Sequence, residues 1–192
     1  MNIGIIPTIR EVYNNQFEYC VDEKLILFFN KLFKNSKITI LNEKKNFLLN
    51  FICMAGGNDI NKINFIKNKK RLNLDKYYYS LAKKYNIPIL GICHGAQVIA
   101  KLEGCKLKLK KQYSKKHKVF FNDTNKSVVK VNSYHDLIIV KPSKKIEVIA
   151  TAPDNSIECF RIKNKKVLGI VWHPERYNKF KKIDFRLVKK IL

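Results

Sequence analysis

Residues 88–97 read Pro-Ile-Leu-Gly-Ile-Cys-His-Gly-Ala-Gln. Ile87, Ile89 and Leu90 make a short apolar strand that runs into Gly91-Ile92-Cys93-His94-Gly95, and a helical pattern of Ala96, Val98, Ile99 and Leu102 follows at once. A strand, a tight turn and a helix with a nucleophile at the corner are the parts of a nucleophile elbow. Small residues two positions either side of Cys93 suit such a corner, which leaves no room for side chains beside the nucleophile's backbone. A cysteine there sits at a helix N-terminus, where free N–H groups and the helix dipole favour the thiolate. The other reading of Cys93 is a buried core thiol, since free cysteine is among the most buried residue types.

Outward from this run, the first half alternates strands with helices. Ile3–Ile6 reads as a strand broken by Pro7-Thr8, and Asp22 as the N-cap of a helix whose Leu25, Phe28, Phe29, Leu32 and Phe33 form one stripe. Lys37–Leu41 and part of Phe47–Met54 read as further strands, and Asp75 as the cap of a helix reaching Tyr85. Beyond Gly104 short β-like pieces follow at Val128–Val131, Leu137–Val140, Val148–Ala150, Ile157–Arg161 and Val167–Val171, with a last helix over Ile183–Leu192. The pattern predicts an α/β fold: an open, mostly parallel central sheet flanked by helices, with an antiparallel β extension in the second half. In such sheets reactive groups gather beyond the carboxyl ends of the strands, which Gly56-Gly57, Cys93 and His173 each follow.

Composition narrows the setting. The 192 residues suit a single domain, 1–192. No stretch approaches the roughly 20 apolar residues of a membrane span, and the start, Met1-Asn2-Ile3-Gly4, does not read as a signal peptide. Five cysteines without a CxxC pair argue against a disulfide framework or a zinc knuckle, and a reducing cytoplasm is the expected compartment. The net charge of +24 invites a nucleic-acid reading. Its excess is nearly all lysine spread over the chain, without interleaved aromatics, so solvated faces are the expected account and no nucleic-acid partner is implied. The charge can still steer a small anion, and Lys106–Lys118 is the densest candidate patch.

The second chemical signal is Gly169-Ile170-Val171-Trp172-His173-Pro174-Glu175, roughly eighty residues past Cys93. In an extended segment residues i and i+2 share a side, so Glu175 is placed to fix the ring of His173 and stabilise its protonated form. The alternative for His173 is a histidine satisfied at a strand end.

These two runs together resemble the class I glutamine amidotransferase family, in particular its γ-glutamyl hydrolase branch. Gly56-Gly57-Asn58-Asp59 resembles that branch's oxyanion loop, Val131-Asn132-Ser133-Tyr134-His135 its substrate-holding segment, and Ala152-Pro153-Asp154-Asn155-Ser156-Ile157-Glu158 its Asp-Gly-x-x-Glu turn and strand. The resemblance implies a nucleophile at Cys93, a general base and acid at His173 and an orienting carboxylate at Glu175. It implies oxyanion donors in the backbone N–H groups of Gly57 and His94, with no metal and no organic cofactor. Gly56, Gln97, Asn132, Ser133, Tyr134 and His135 would surround the glutamyl group. The implied partner is a small γ-glutamyl substrate, one whose leaving group is nucleotide-linked suiting the lysines. Val171 and Leu137 depart from the family's polar residues at those positions, and Asn155 replaces a glycine, which asparagine can do because it visits the left-handed region.

Outside the motifs, Arg10 follows the first strand and is read either as a ligand for a substrate carboxylate or phosphate or as a surface salt bridge. His135 is read as a pocket residue or a structural hydrogen-bonder, His94 as valuable for its backbone rather than its ring, and His117 as without evident chemistry. Asp59 and Glu158 are read as loop braces. Two other functions remain open at this level: a glutaminase subunit feeding ammonia to a partner synthetase, and a noncatalytic cysteine sensor or chaperone on the same scaffold, which would have no use for a paired His173 and Glu175.

Overall fold

The computed structural model describes residues 1–14, 16–57, 65–110, 116–124 and 126–192, and the side chains of 65–68 are not among those described. The elements in chain order are β1 (Asn2–Ile6), β2 (Thr8–Tyr13), β3 (Gln16–Cys20), α1 (Glu23–Leu32), β4 (Lys37–Ile40), β5 (Phe51–Met54), α2 (Phe65–Tyr85), β6 (Ile89–Ile92) and α3 (His94–Leu102). The second half adds β7 (Lys106–Leu109), β8 (Lys116–Phe121), β9 (Val128–Asn132), β10 (Leu137–Lys141), β11 (Ile146–Thr151), β12 (Ile157–Ile162), β13 (Val167–Ile170), a 3-10 turn (Pro174–Arg176) and α4 (Lys182–Lys189).

The central sheet runs β4-β1-β5-β6-β13-β12-β11-β8-β9. Its first five strands are parallel and the rest antiparallel, with β10 joining β12 to β7 at the side. The expected parallel sheet with an antiparallel extension is thus the observed architecture. Alternation along the parallel strands sorts the core onto two faces. Ile3, Ile5, Phe51, Cys53, Leu90 and Ile92 pack with Phe28 and Phe29 of α1 and Leu187 and Val188 of α4. Ile6, Ile52, Met54 and Ile89 pack with Tyr78 and Tyr79 of α2 and Val98 and Ile99 of α3. All these strand residues are fully buried, the expected signature of a sheet covered on both sides.

Several local expectations hold and others are corrected. Asp22 caps α1, its Oδ1 accepting the Lys24 amide at 2.9 Å. Asn155 takes the left-handed conformation at φ 63°. Asp75, by contrast, is no cap: it lies inside α2, which begins at Phe65, and is fully buried. Its carboxylate is neutralised by Arg71 one turn earlier rather than by a free helix end. The β2–β3 hairpin and the strands β7 and β8 were not expected. Most of the hairpin's side chains are exposed or half-buried, so little apolar alternation marks it.

The carboxyl ends of β1, β5, β6 and β13 lie side by side, with Ile92 opposite Ile170 and Met54 opposite Gly91. Pro7-Thr8, Ala55-Gly56-Gly57, Cys93 and Val171-Trp172-His173 continue from those ends. Chain positions far apart in sequence therefore meet at one edge.

Candidate active site

Cys93 adopts φ 47°, ψ −101°, a sparsely populated conformation for a residue with a side chain. The corner is held from both sides: the Cys93 amide donates to Ile170 O at 2.8 Å, and its carbonyl accepts the Gln97 amide at 3.0 Å. A Cβ added to Gly95 would collide with the Met54 carbonyl, so α3 can approach β5 this closely only with glycine there. The thiol is 6% exposed, unlike the fully buried Cys53 and Cys159, whose thiols burial pushes well above the ordinary range.

His173 stands across from it. Trp172 turns into the core, its indole N–H donating to Asp184 Oδ1 at 3.0 Å. The His173 backbone is clamped by one side chain: Asn132 Nδ2 donates to His173 O at 2.9 Å, and the His173 amide donates to Asn132 Oδ1 at 2.8 Å. The ring Nδ1 donates to Glu175 Oε1 at 2.6 Å, and Cys93 stands close enough to act on the ring. The His–Glu contact comes about differently from the expectation of an extended segment, because Pro174–Arg176 is a 3-10 turn that folds Glu175 back on the ring. Burial alone would lower the imidazole pKa. The hydrogen bond and charge of Cys93, followed by those of Glu175, outweigh it and push the value up to about 9.

A cavity of about 210 Å³ opens over these groups, lined by Gly57, Cys93, His94, Gln97, Tyr134 and His173 among others. Gly57 has φ +89°, and a Cβ on it would strike Thr8, so the segment that brings its amide to the cavity requires glycine. Gln97 reaches the wall with its Nε2 donating to Leu137 O at 2.9 Å. His135 lines the same cavity, its Nδ1 donating to that carbonyl at 3.1 Å. Burial lowers the His135 pKa.

Not every expected substrate contact falls here. Asn132 does not line the cavity; both atoms of its amide serve the His173 backbone. Ser133, 4% exposed, is also absent from the lining. Gly56 and Arg10 line a second, adjoining cavity instead. Asn58 and Asp59 of the expected oxyanion loop lie outside the described residues, as do 111–115 of the lysine-rich block. Among the described residues of that block, none lines either cavity. His117 does have a partner, its Nε2 lying 3.4 Å from Glu158 Oε1, and this carboxylate raises its pKa.

Two features went unread in the sequence. Arg176 borders both cavities, with its guanidinium stacked 5.0 Å from the Tyr134 ring centroid. Beneath the elbow lies a buried charge cluster. Arg71 Nε donates to both Asp75 oxygens at 3.0 and 3.1 Å, and His94 Nε2 donates to Asp75 Oδ2 at 2.9 Å. The remaining Arg71 nitrogens donate to the carbonyls of Pro7 and Ala55. Burial alone would raise the Asp75 pKa, but the charge of Arg71, followed by the His94 contacts, holds it below the ordinary value. This cluster ties the residue after the nucleophile to the ends of β1 and β5, so the His94 ring has a structural task beyond its amide.

Comparison with known proteins bears on this arrangement. The pattern of the class-I glutamine amidotransferases matches residues 33–185. The chain is 33% identical over 174 residues to the γ-glutamyl-CDP-amidate hydrolase of Campylobacter jejuni, covering 85% of this chain and 86% of that one. It is 30% identical over 173 residues to anthranilate synthase component 2 of Helicobacter pylori, covering 85% and 82%. The crystal structure of a glutamine amidotransferase from Thermotoga maritima superposes with a TM-score of 0.68 at 19% identity, covering 99% of this chain and 89% of that one. An elbow cysteine and a histidine just past β13, lining one cavity, thus stand in a chain that belongs to the class-I glutamine amidotransferase family.

Proposed function

We propose that the protein is a γ-glutamyl hydrolase that uses Cys93, His173 and Glu175 to split a γ-glutamyl–nitrogen bond, with a γ-glutamyl-CDP-amidate as its substrate. The observation that carries the reading is Cys93 and His173 lining one cavity of about 210 Å³, with Glu175 hydrogen-bonded to the imidazole Nδ1. The similarity to the Campylobacter jejuni hydrolase supports the leaving group.

In this mechanism the Cys93 thiolate attacks the γ-carbonyl, and the negative oxygen is held by the amides of Gly57 and His94. The Arg71–Asp75–His94 cluster is a positioning device that fixes the chain segments carrying both donors. His173, protonated and stabilised by Glu175, gives its proton to the departing nitrogen as the C–N bond breaks. The glutamyl group is left as a thioester on Cys93. His173 then takes a proton from water, whose oxygen attacks the thioester. Glutamate leaves, and Cys93 returns to its starting state. Gln97, Tyr134 and His135 border the glutamyl group, and the chemistry calls on no metal or cofactor.

The experiment is glutamate release by the purified protein from γ-glutamyl-CDP-amidate, from simpler γ-glutamyl amides and from glutamine. Turnover without any added partner, lost in Cys93→Ala while the melting temperature holds, is the expected result. The similarity to anthranilate synthase component 2 favours a second reading, a glutaminase subunit that delivers ammonia to a synthetase. Activity confined to glutamine and dependent on an added synthetase would establish that reading instead.

A further inference from the structure

The second cavity, about 150 Å³, is lined by Thr8, Arg10, Cys20, Asp22, Gly56, Glu175 and Arg176 among others. It adjoins the first through Arg176, which lines both. Gly56, in its wall, is packed so closely against the His173 imidazole that a Cβ there would collide with the ring. The second cavity therefore lies on the imidazole side of the site, while Gln97 and Leu137 line only the first. In amide cleavage the departing nitrogen must stand beside the group that protonates it. Whatever is attached to that nitrogen then extends past His173 towards Gly56 and Arg176.

The polar groups around this space are unequally occupied. Thr8 Oγ1 donates to Gly56 O at 2.6 Å. Asp22 Oδ1 caps α1, and its Oδ2 lies 3.4 Å from Arg176 Nε. Glu175 Oε1 accepts from His173, with Arg176 Nε 3.8 Å away. Glu175 Oε2 has no hydrogen-bond partner among the described residues, and the two arginines are the donors with capacity to spare. Arg176 lies over the Tyr134 ring with Nε towards Asp22, and no hydrogen bond from its Nη atoms, nor from the exposed Arg10 guanidinium, occurs among the described residues. Guanidinium groups are donors only, with a planar fork that fits phosphoryl and carboxylate oxygens.

We infer that the second cavity is a leaving-group subsite in which Arg10 and Arg176 hold an anionic substituent, phosphoryl or carboxylate, carried by the nitrogen that departs from Cys93. This rests on the γ-glutamyl hydrolase reading and adds to it the residues that select the far half of the substrate. Arg176, which lies over Tyr134, is the specificity-determining residue at the junction.

The test compares kcat/KM for three conjugates with the same glutamyl half: a neutral γ-glutamyl alkylamide, γ-glutamylglycine with its carboxylate, and a γ-glutamyl nucleoside diphosphoramidate. The wild-type protein is expected to prefer an anionic conjugate to the neutral one. Arg176→Gln and Arg10→Gln are expected to cut that preference at least tenfold, chiefly through KM. Loss of preference for the phosphoryl conjugate alone identifies phosphate as the ligand, and loss for the glycine conjugate alone identifies carboxylate. Absence of a wild-type preference, or an equal fall on all three conjugates, overturns the subsite. A wild-type protein that cleaves none of them overturns the hydrolase reading, and binding then decides the subsite separately. Calorimetric titration of Cys93→Ala with inorganic pyrophosphate and with malonate should show binding of one of them, weakened at least tenfold when both arginines are replaced. Binding of neither anion, or binding indifferent to the double replacement, also overturns it.

Discussion

The protonation of His173 links the site to pH. Its pKa lies at about 9, above the ordinary 6.5, because Cys93 and Glu175 together outweigh the cost of burial. A histidine whose folded pKa is raised contributes stability that is complete below its unfolded value and is lost as pH rises through the folded one. The stabilisation from this ion-paired imidazole should thus fade between about pH 6.5 and 9. Catalysis should follow, since an imidazole without its proton cannot release the amine. The kcat/KM profile for a γ-glutamyl amide is expected to fall on its alkaline side near pH 9. Glu175→Gln should move that limb to lower pH and reduce kcat, because one source of the upward shift is gone. An alkaline limb that stays in place in Glu175→Gln would show that the carboxylate does not act on the ring.

At the scale of elements, the site depends on how α2 and α3 are joined to the strand ends. Arg71 and Asp75 are fully buried, and their pairing draws in His94, Pro7 and Ala55. Breaking a buried pair by removing one partner typically costs about 3–5 kcal/mol, since the other charge is left uncompensated. Asp75→Asn should therefore lower unfolding stability by about that amount in urea titrations and reduce kcat more than it raises KM. A loss of less than about 0.5 kcal/mol, the range of ordinary surface changes, would mean the cluster does not hold the site together. The Asp75 pKa is held below its ordinary 3.8, so its contribution is present above that value and disappears as pH falls beneath it.

These elements also divide what the sequence discloses from what it conceals. The strand–elbow–helix at Cys93 and the strand-end His173 are written in contiguous residues whose spacing matches local geometry, and both are found where expected. The Asp22 cap and the left-handed Asn155 are equally local. The Arg71–Asp75–His94 cluster joins three positions on two helices, and a buried aspartate reads along the chain like any helix-starting aspartate. The clamp by Asn132 is hidden for a similar reason: nothing near it in sequence tells that its amide holds the backbone of His173, beyond the end of β13. Arg176 follows Glu175 directly, but its position between two cavities emerges only once the 3-10 turn and Tyr134 are placed together.

For the whole molecule, the dominant fact is a net charge of +24 spread mostly over exposed lysines. Among the described residues, no helix is long and apolar enough to cross a membrane. A field of that sign draws small anions towards the surface from distances comparable to the screening length, which is about 10 Å at 0.1 M salt. The kcat/KM for an anionic γ-glutamyl conjugate should consequently fall several-fold between low and physiological salt, with a much smaller change for a neutral one. Equal salt dependence for both would place the lysine charge outside the function.

The central claim is that Cys93 carries the glutamyl group during the reaction. Acid quenching during turnover, followed by peptide mass spectrometry, measures this directly. A γ-glutamyl adduct on the peptide containing Cys93, present while substrate lasts and missing in Cys93→Ala together with glutamate release, is the predicted result. Glutamate release that persists in Cys93→Ala, or an adduct on Cys20, Cys53, Cys105 or Cys159 in place of Cys93, would contradict the account.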